Sequence, residues 1–375
     1  MNEDYKNILI ISEGQLGDLL LLTPTIKALK KKFPNVGLDL LIIARNSNNL
    51  PEKSIALNER VIIHNNDFVL SGNNNINNIY VVPHFVLKNL PLLKKIKSEF
   101  DIVRFIRKKK YDVVLNAFPH DRFIIWSFLS GAKIRVGERK NILSVLLTDK
   151  LEINKENEGV LIYYTKLLQP FNINVTEFST EFFINEKTEN WLNRLIKKYK
   201  INSGEKIVTI HPGASGNYKI WPPEKFGALI KKLELQNVQV ILCGGESDKL
   251  IINEIKKYNS INPFVIFLDY DLNKLAALFK LSSLCITNDS GPRHLAVAVG
   301  TKSLAIFRKY HTNAWKIYPE GEKISIVVSD KKCSVCPVNE CKDLIPENTM
   351  FGSYCISEIS VDTVFEKAMK MINFR

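Results

Sequence analysis

The chain has 375 residues, 52 of them Lys or Arg and 39 Asp or Glu, for a formal net charge of +13; 45% are hydrophobic and 24% charged. That length exceeds one ordinary hydrophobic core and predicts two domains, and the composition excludes a disordered or collagen-like chain. The longest apolar runs, LLLL at 19–22 and FIIWSFL at 123–129, fall far short of the roughly 20 residues that a membrane-spanning helix requires.

From the amino end, NILII (7–11) reads as a strand that runs through EGQLGD into a helix ending near Phe33. Thr23–Pro24 offers a cap-and-start pair inside that helix, so it is expected to kink or restart there. LDLLIIA (38–44) is a buried strand, the asparagine-rich stretch 58–78 a loop, and NIYVVP (78–83) a strand. A helix over 95–110 leads to the strand YDVVLNAF (111–118), a helix over 121–132 and the short strand KIRVGE (133–138). After a linker at 172–186 the alternation repeats. Strands are expected at 206–213, 237–245, 264–269, 283–289 and 302–307, with helices between them and a last helix, VDTVFEKAMKMI, near the end. Strand–helix alternation of this kind predicts parallel sheets with helices on both faces. The expected division is an N-terminal Rossmann-like domain over 1–175, a C-terminal Rossmann-like domain over 176–355 with a cysteine-rich tail, and a terminal helix over 356–375 placed to pack back on the first domain. Two doubly wound domains imply a central cleft, with ligands beyond the carboxyl ends of the strands.

The turns after those strands hold the chemistry-bearing residues. In EGQLGD, Asp18 follows Gly17 where a glycine turn would ordinarily receive an anion. A carboxylate there suits a general base that takes a proton from an attacking hydroxyl; the plain alternative is a helix N-cap. HPGASGNYK (211–219) combines Gly213, Ser215 and Gly216 with Lys219, a loop that phosphate oxygens can approach and a point charge for a diphosphate. An ordinary connection with a surface lysine fits equally well. TNDSGPRH (287–294) places Asp289 and Ser290 as caps and Pro292 at the helix start, so the N-terminus faces an anion. His294 on the first turn is placed to add a hydrogen bond or a positive charge. In GGES (244–247), Glu246 suits ribose hydroxyls, or simply caps the helix that follows.

Of six cysteines, Cys243 and Cys285 lie in apolar strands and read as small buried hydrophobes, while Cys333, Cys336, Cys341 and Cys355 form C-x2-C-x4-C-x13-C. In a cytoplasmic chain four thiolates suit structural zinc; an iron–sulfur cluster and reduced packing cysteines fit the same residues. The amino-terminal MNEDYKN has no basic region ahead of an apolar run, which predicts no secretory leader. The basic excess is the mark of a solvated lysine-rich surface or of an anionic partner.

Together, ILIISEGQLGDLLLLTPTIKALKKKFP, YDVVLNAFPHDRFIIWSFLSGAKIRVGERK, VTIHPGASGNYKIWPPEKFGALI, TNDSGPRHLAVAVGTKSLAIF and the cysteine tail resemble the glycosyltransferase family 9 heptosyltransferases, from about residue 7 to about 372. These are bacterial GT-B enzymes that add heptose to the lipopolysaccharide inner core. The resemblance implies two Rossmann-like domains and an inverting, metal-independent transfer from a nucleotide-diphosphate sugar, typically ADP-heptose. It implies Asp18 as catalytic base, and Lys219, Glu246, Asp289, Ser290, Gly291 and His294 as donor contacts beside Gly213 and Ser215. It also implies basic first-domain contacts to an anionic glycolipid or oligosaccharide acceptor, for which Arg122, Lys133, Arg135 and Arg139 are the candidates. No catalytic cofactor and no nucleic acid is expected, and the location is cytoplasmic, peripheral at the inner membrane. Arg293 stands where the pattern has an apolar or small residue, which opens a further donor contact. A nucleotide-sugar epimerase of the same fold and a cysteine-tail module that holds nucleic acid by charge are the alternatives. The last lacks aromatics interleaved on a basic stripe.

Overall fold

The computed structural model describes residues 5–44, 63–64, 69–153, 159–175, 178–202, 204–258, 264–267, 271–309, 318, 320–329 and 350–373. The chain divides into two compact units, Met1–Thr180 and Glu181–Arg375, a boundary inside the expected linker.

The first unit runs β1 (Asn7–Glu13), α1 (Leu16–Leu21), α2 (Thr23–Lys32), β2 (Gly37–Ala44), β3 (Ile63–His64), β4 (Asn78–Pro83), α3 (His84–Leu87), α4 (Leu92–Lys109), β5 (Val113–Asn116), α5 (Asp121–Leu129), β6 (Ile134–Glu138), β7 (Asp149–Leu151) and α6 (Val160–Lys166). Its sheet has the order β3-β4-β2-β1-β5-β6-β7 and is parallel except for the β3–β4 pair. Helices cover both faces of a parallel sheet, so its strands read as continuous apolar runs; Ile8, Leu9, Ile10 and Ile11 are all buried. The helix after β1 does restart. Leu22 is both the C-cap of α1 and the N-cap of α2, with helical backbone angles, and Pro24 lies in the first turn of α2. The Thr23 hydroxyl donates back to Leu20 O at 2.7 Å rather than capping forward.

The second unit contains α7 (Glu186–Tyr199), β8 (Ile207–His211), α8 (Pro223–Glu234), β9 (Gln239–Gly244), α9 (Lys249–Lys257), β10 (Phe264–Phe267), α10 (Leu272–Leu281), β11 (Leu284–Asn288), α11 (Gly291–Ala298), β12 (Ser303–Phe307), β13 (Ile324–Val328), α12 (Tyr354–Ser357) and α13 (Val361–Asn373). Its parallel sheet has the order β10-β9-β8-β11-β12-β13. In each sheet the chain starts in the middle, builds to one side and then crosses to the other. The reversal falls between β1 and β5 in the first unit and between β8 and β11 in the second, the place where open α/β sheets bind ligands.

The terminal helix departs from expectation. Val364, Ala368, Met371 and Ile372 form one apolar stripe buried in the second unit's own core with Leu229 and Leu233 of α8. The buried indole of Trp221 donates from Nε1 to Ile359 O at 3.1 Å, and Lys225 Nζ reaches the same carbonyl at 2.9 Å. These bonds seat the segment ahead of α13 on the second unit.

Three turns come together at the carboxyl edge of the second sheet because β9, β8 and β11 are neighbours. Asn288, at the end of β11, binds both ends of the turn after β8: its Oδ1 accepts from Trp221 N at 3.1 Å and its Nδ2 donates to Pro212 O. Asp248, in the turn after β9, accepts from Gly245 N at 2.9 Å, with its Oδ2 3.6 Å from His211 Nε2 at the end of β8. A Cβ on Gly213 would lie 1.9 Å from Asp248 Oδ1. Gly213 is therefore required by its neighbour's carboxylate rather than by a phosphate alone. Gly213→Ala is expected to cost about 1–3 kcal/mol, as overpacking does, measured by urea unfolding; wild-type stability would show that Asp248 yields without cost.

Candidate functional site

At the reversal point of the first sheet, β1 ends in Glu13 and the chain turns through Gly14 and Gln15 into α1. Gln15 is the N-cap residue, and Asp18 is the third residue of the helix. Asp18 therefore does not cap α1, which removes the plain alternative for it. Its side chain is 8% exposed. The hydroxyl of Tyr164, on α6, donates to Asp18 Oδ1 at 3.2 Å. Burial, and next the Asp18 charge, push the Tyr164 hydroxyl well above the usual phenol range, so it keeps its proton. The adjacent Tyr163 donates to Asn116 O at 3.0 Å at the end of β5, and burial raises its hydroxyl as well. Glu138, at the end of β6, is also buried.

The four basic acceptor candidates fall in two places. Arg122 opens α5 at the carboxyl edge, where Nη1 lies 3.0 Å from His84 Nδ1 and Nε 3.3 Å from Glu99 Oε1. Arg139 follows β6 at the same edge and pairs with Glu152 at 3.0 Å, largely in solvent. Lys133 and Arg135 lie at the other end of β6. Arg135 donates to Leu146 O at 2.8 Å and to Ala132 O at 2.6 Å, and so ties its own loops together. Lys140, beside Arg139 at the carboxyl edge, donates to Pro119 O at 3.4 Å. Sequence reasoning passed over it because nothing local separates it from other surface lysines.

In the second unit, Gly216 starts a 3-10 turn, Asn217–Lys219, that ends in Lys219. Lys219 is half-buried and has no acidic partner among the described residues, while Ser215 is exposed. Glu246 is exposed and pairs with Lys249. Ser290 occupies the N-cap of α11 without making a side-chain cap bond, its hydroxyl lying 3.4 Å from Asn288 O. Gly291 is the first helical residue and Pro292 the second. The first-turn N–H groups are thus left for another acceptor. The pairing of β8 with β9 and with β11 brings Gly213, Ser215, Lys219, Glu246, Asp289, Ser290 and Gly291 to one edge.

One expectation at this edge changes. His294 is buried, with Nδ1 3.0 Å from the Tyr318 hydroxyl. Burial, and then the Arg293 charge, push its imidazole down to about 3, so it is neutral near pH 7 and offers a hydrogen bond but no positive charge. Arg293 is 1% exposed, its guanidinium carbon 4.7 Å from the Phe307 ring centre and 5.4 Å from that of Tyr318. It packs between these rings inside the unit.

Cys243 and Cys285 are buried, as expected. Cys333, Cys336 and Cys341 lie outside the described residues. Cys355 is buried and free, 3.7 Å from the Ser353 hydroxyl. Among the described residues no group of three or more His, Cys, Asp or Glu could hold a metal ion, so the zinc expectation gains no support from them. No helix among them is long and apolar enough to cross a membrane.

The folded value of His294 lies below its ordinary 6.5. Between about pH 6.5 and pH 3 the unfolded chain therefore binds the extra proton, and stability falls as pH falls. From pH 6.5 to pH 5 this one residue should remove about 2 kcal/mol, with His211, also lowered by burial, acting in the same direction. In urea unfolding at pH 7 and pH 5, His294→Gln is expected to lose clearly less stability on acidification than the wild type. Equal losses would show that His294 does not carry the effect.

The model of glycosyltransferase family 9 (heptosyltransferase) matches residues 100–344, more than half of the chain. Lipopolysaccharide heptosyltransferase 3 of Escherichia coli is 24% identical over 304 residues, 78% of this chain and 80% of that protein. Among solved structures, the glycosyl transferase family 9 protein of Veillonella parvula superposes with a TM-score of 0.75 at 20% identity, covering 99% of this chain and 98% of that one. The E. coli heptosyltransferase WaaC with ADP-2-deoxy-2-fluoro heptose superposes with a TM-score of 0.66 at 13% identity, covering 97% and 99%. The fold is that of the GT-B heptosyltransferases, and the chain belongs to glycosyltransferase family 9.

Proposed function

We propose that this glycosyltransferase moves heptose from ADP-heptose to a sugar of the lipopolysaccharide core, with inversion at the anomeric carbon. The observation that carries the reading is Asp18, a buried carboxylate held by a tyrosine hydroxyl at the reversal point of the first sheet. Asp18 takes the proton of the acceptor hydroxyl as that oxygen attacks the anomeric carbon. The bond from this carbon to the diphosphate oxygen breaks, and ADP leaves with the electron pair. Lys219 and the uncapped N-terminus of α11 receive the charge that builds on the leaving group, so the scheme calls for no metal. Gly213, Ser215, Asp289, Ser290 and Gly291 form the diphosphate cradle, Glu246 takes the ribose hydroxyls, and neutral His294 acts through a hydrogen bond. The names borne by the relatives, a lipopolysaccharide heptosyltransferase and a heptosyltransferase holding an ADP-heptose analogue, support the donor and acceptor classes.

Arg122, Arg139 and Lys140, at the carboxyl edge of the first sheet, are the acceptor contacts best placed for an anionic sugar. Lys133 and Arg135 are poorly placed for that role. A peripheral contact with an anionic membrane face belongs to the same reading: Leu92, Leu93 and Phe100 are 71%, 81% and 70% exposed on α4, beside Lys94, Lys95 and Lys97. Zinc bound by the four tail cysteines remains a proposal for the tail alone and enters no step of the transfer.

Asp18→Asn is expected to leave ADP binding within about twofold of the wild type and to lower kcat with ADP-heptose and a core acceptor about a hundredfold or more; unchanged turnover would remove Asp18 as the base. Lys219→Ala is expected to weaken ADP binding and slow turnover, each by about tenfold or more. Calorimetry and initial rates measure both, and wild-type behaviour in the two would exclude Lys219 from the donor site.

A further inference from the structure

Arg308 follows the last residue of β12, at the carboxyl edge of the second sheet. Its side chain is 3% exposed. The guanidinium carbon lies 4.6 Å from the centre of the Tyr218 ring, and Nη2 is buried without a hydrogen-bond partner. Among the described residues no carboxylate pairs with it. This is an expensive arrangement for the chain by itself, because a buried guanidinium ordinarily has both an opposite charge and acceptors for its N–H groups. Stacking on a tyrosine recovers only part of that cost.

The position of this cation limits what can complete it. β12 pairs with β11, with Asn288 opposite Ile306, and Asp289 N donates to Ile306 O at 3.1 Å. Arg308 is therefore two residues along the chain from the strand position that binds the turn leading into α11. Tyr218, beneath its guanidinium, is the middle residue of the 3-10 turn that ends in Lys219. One residue thus adjoins both turns assigned to the diphosphate, and it has unused donors in a fixed planar fork, which matches phosphate oxygens.

The geometry points to Arg308 as a second cationic contact to the donor's diphosphate, its buried guanidinium and Lys219 flanking the anion at the start of α11. This inference rests on the nucleotide-sugar reading above and adds to it a residue that local sequence does not single out. In the loaded protein the diphosphate would supply the charge that Arg308 lacks without ligand. Arg308 also holds Tyr218, and through it the Lys219 turn, so the two cations would be placed together.

The test uses the full-length protein and the variant Arg308→Met, which keeps the length of the side chain and removes its charge. Affinities for ADP, inorganic pyrophosphate and adenosine are measured by calorimetry, and the unfolding temperature is measured without ligand. Expected are roughly tenfold or greater losses for ADP and pyrophosphate, unchanged adenosine binding, and a ligand-free unfolding temperature equal to or above the wild type's. Wild-type ADP affinity in the variant would overturn the inference and leave the function reading intact; a lowered unfolding temperature beside it would make Arg308 a packing residue on Tyr218. If Arg308→Met does not fold, Arg308→Gln answers with the same readouts. A wild-type protein that binds pyrophosphate but none of ADP, UDP and GDP would retain the anion site and retire the nucleotide-sugar reading. Binding of none of the four would retire both.

Discussion

Asn288 organises the candidate donor edge. Its amide offers one acceptor and one donor, and both are used inside the unit, on Trp221 N–H and on Pro212 C=O. No side chain of similar size does the same. A carboxylate would set a second acceptor against the Pro212 carbonyl, and a leucine would leave two buried backbone groups unsatisfied. Because β8 and β11 are paired, this one amide holds the turn after the first strand against the end of the fourth. Trp221 extends the tie by donating to Ile359 O, which brings the α13 segment into the same core. The rigidity of the edge thus comes from buried polar groups that are satisfied together.

The buried charged side chains at the carboxyl edges of the two sheets differ in sign, although both edges also carry more exposed charges of the other sign. At the carboxyl edge of the first sheet, Glu13, Asp18 and Glu138 are buried. At the carboxyl edge of the second are Lys219, Arg308 and the N-terminus of α11, with buried Arg293 behind them. Charges held away from water act more strongly than charges in it. One edge is therefore suited to receive a proton and the other to receive a phosphate. Under the function proposed above, that division accounts for Asp18 in a glycine turn of a kind that elsewhere binds anions: the second unit takes the anion and the first takes the proton.

Much of the fold was legible along the chain. NIYVVP is a strand over the residues expected, and helices follow β8 and β10 as the alternation predicts, because buried parallel strands and amphipathic helices leave different spacings of apolar residues. Four expected strands, 111–118, 206–213, 237–245 and 283–289, overran the observed carboxyl ends by one or two turn residues, as in KIVTIHPG, while NILII stopped two residues short of the end of β1. β3, inside the 58–78 stretch expected as a loop, and α3, β7, α6, β13 and α12 were missed. They are short, and the three strands lie at sheet edges, where local pattern alone is weak. α6 mattered most, since it carries Tyr163 and Tyr164, and VLIYYTK shows nothing about which helix it will cover.

By itself the sequence determined the strand–helix alternation, the place of the turns between elements and the identity of Asp18, Lys219 and the DSG turn, because these depend on local propensity and on residues close in the chain. Tertiary structure decided which of those residues hold a partner and which remain open. Tyr164 reaches Asp18 across 146 positions, and Trp221 reaches Ile359 across 138. Arg122 and Arg135 are engaged with their own unit, burial lowers His294 so that it is neutral near pH 7, and Arg308 is buried without a counter-charge among the described residues. Burial and pairing depend on what the folded chain brings together from distant segments, and spacing along a single segment contains no record of that.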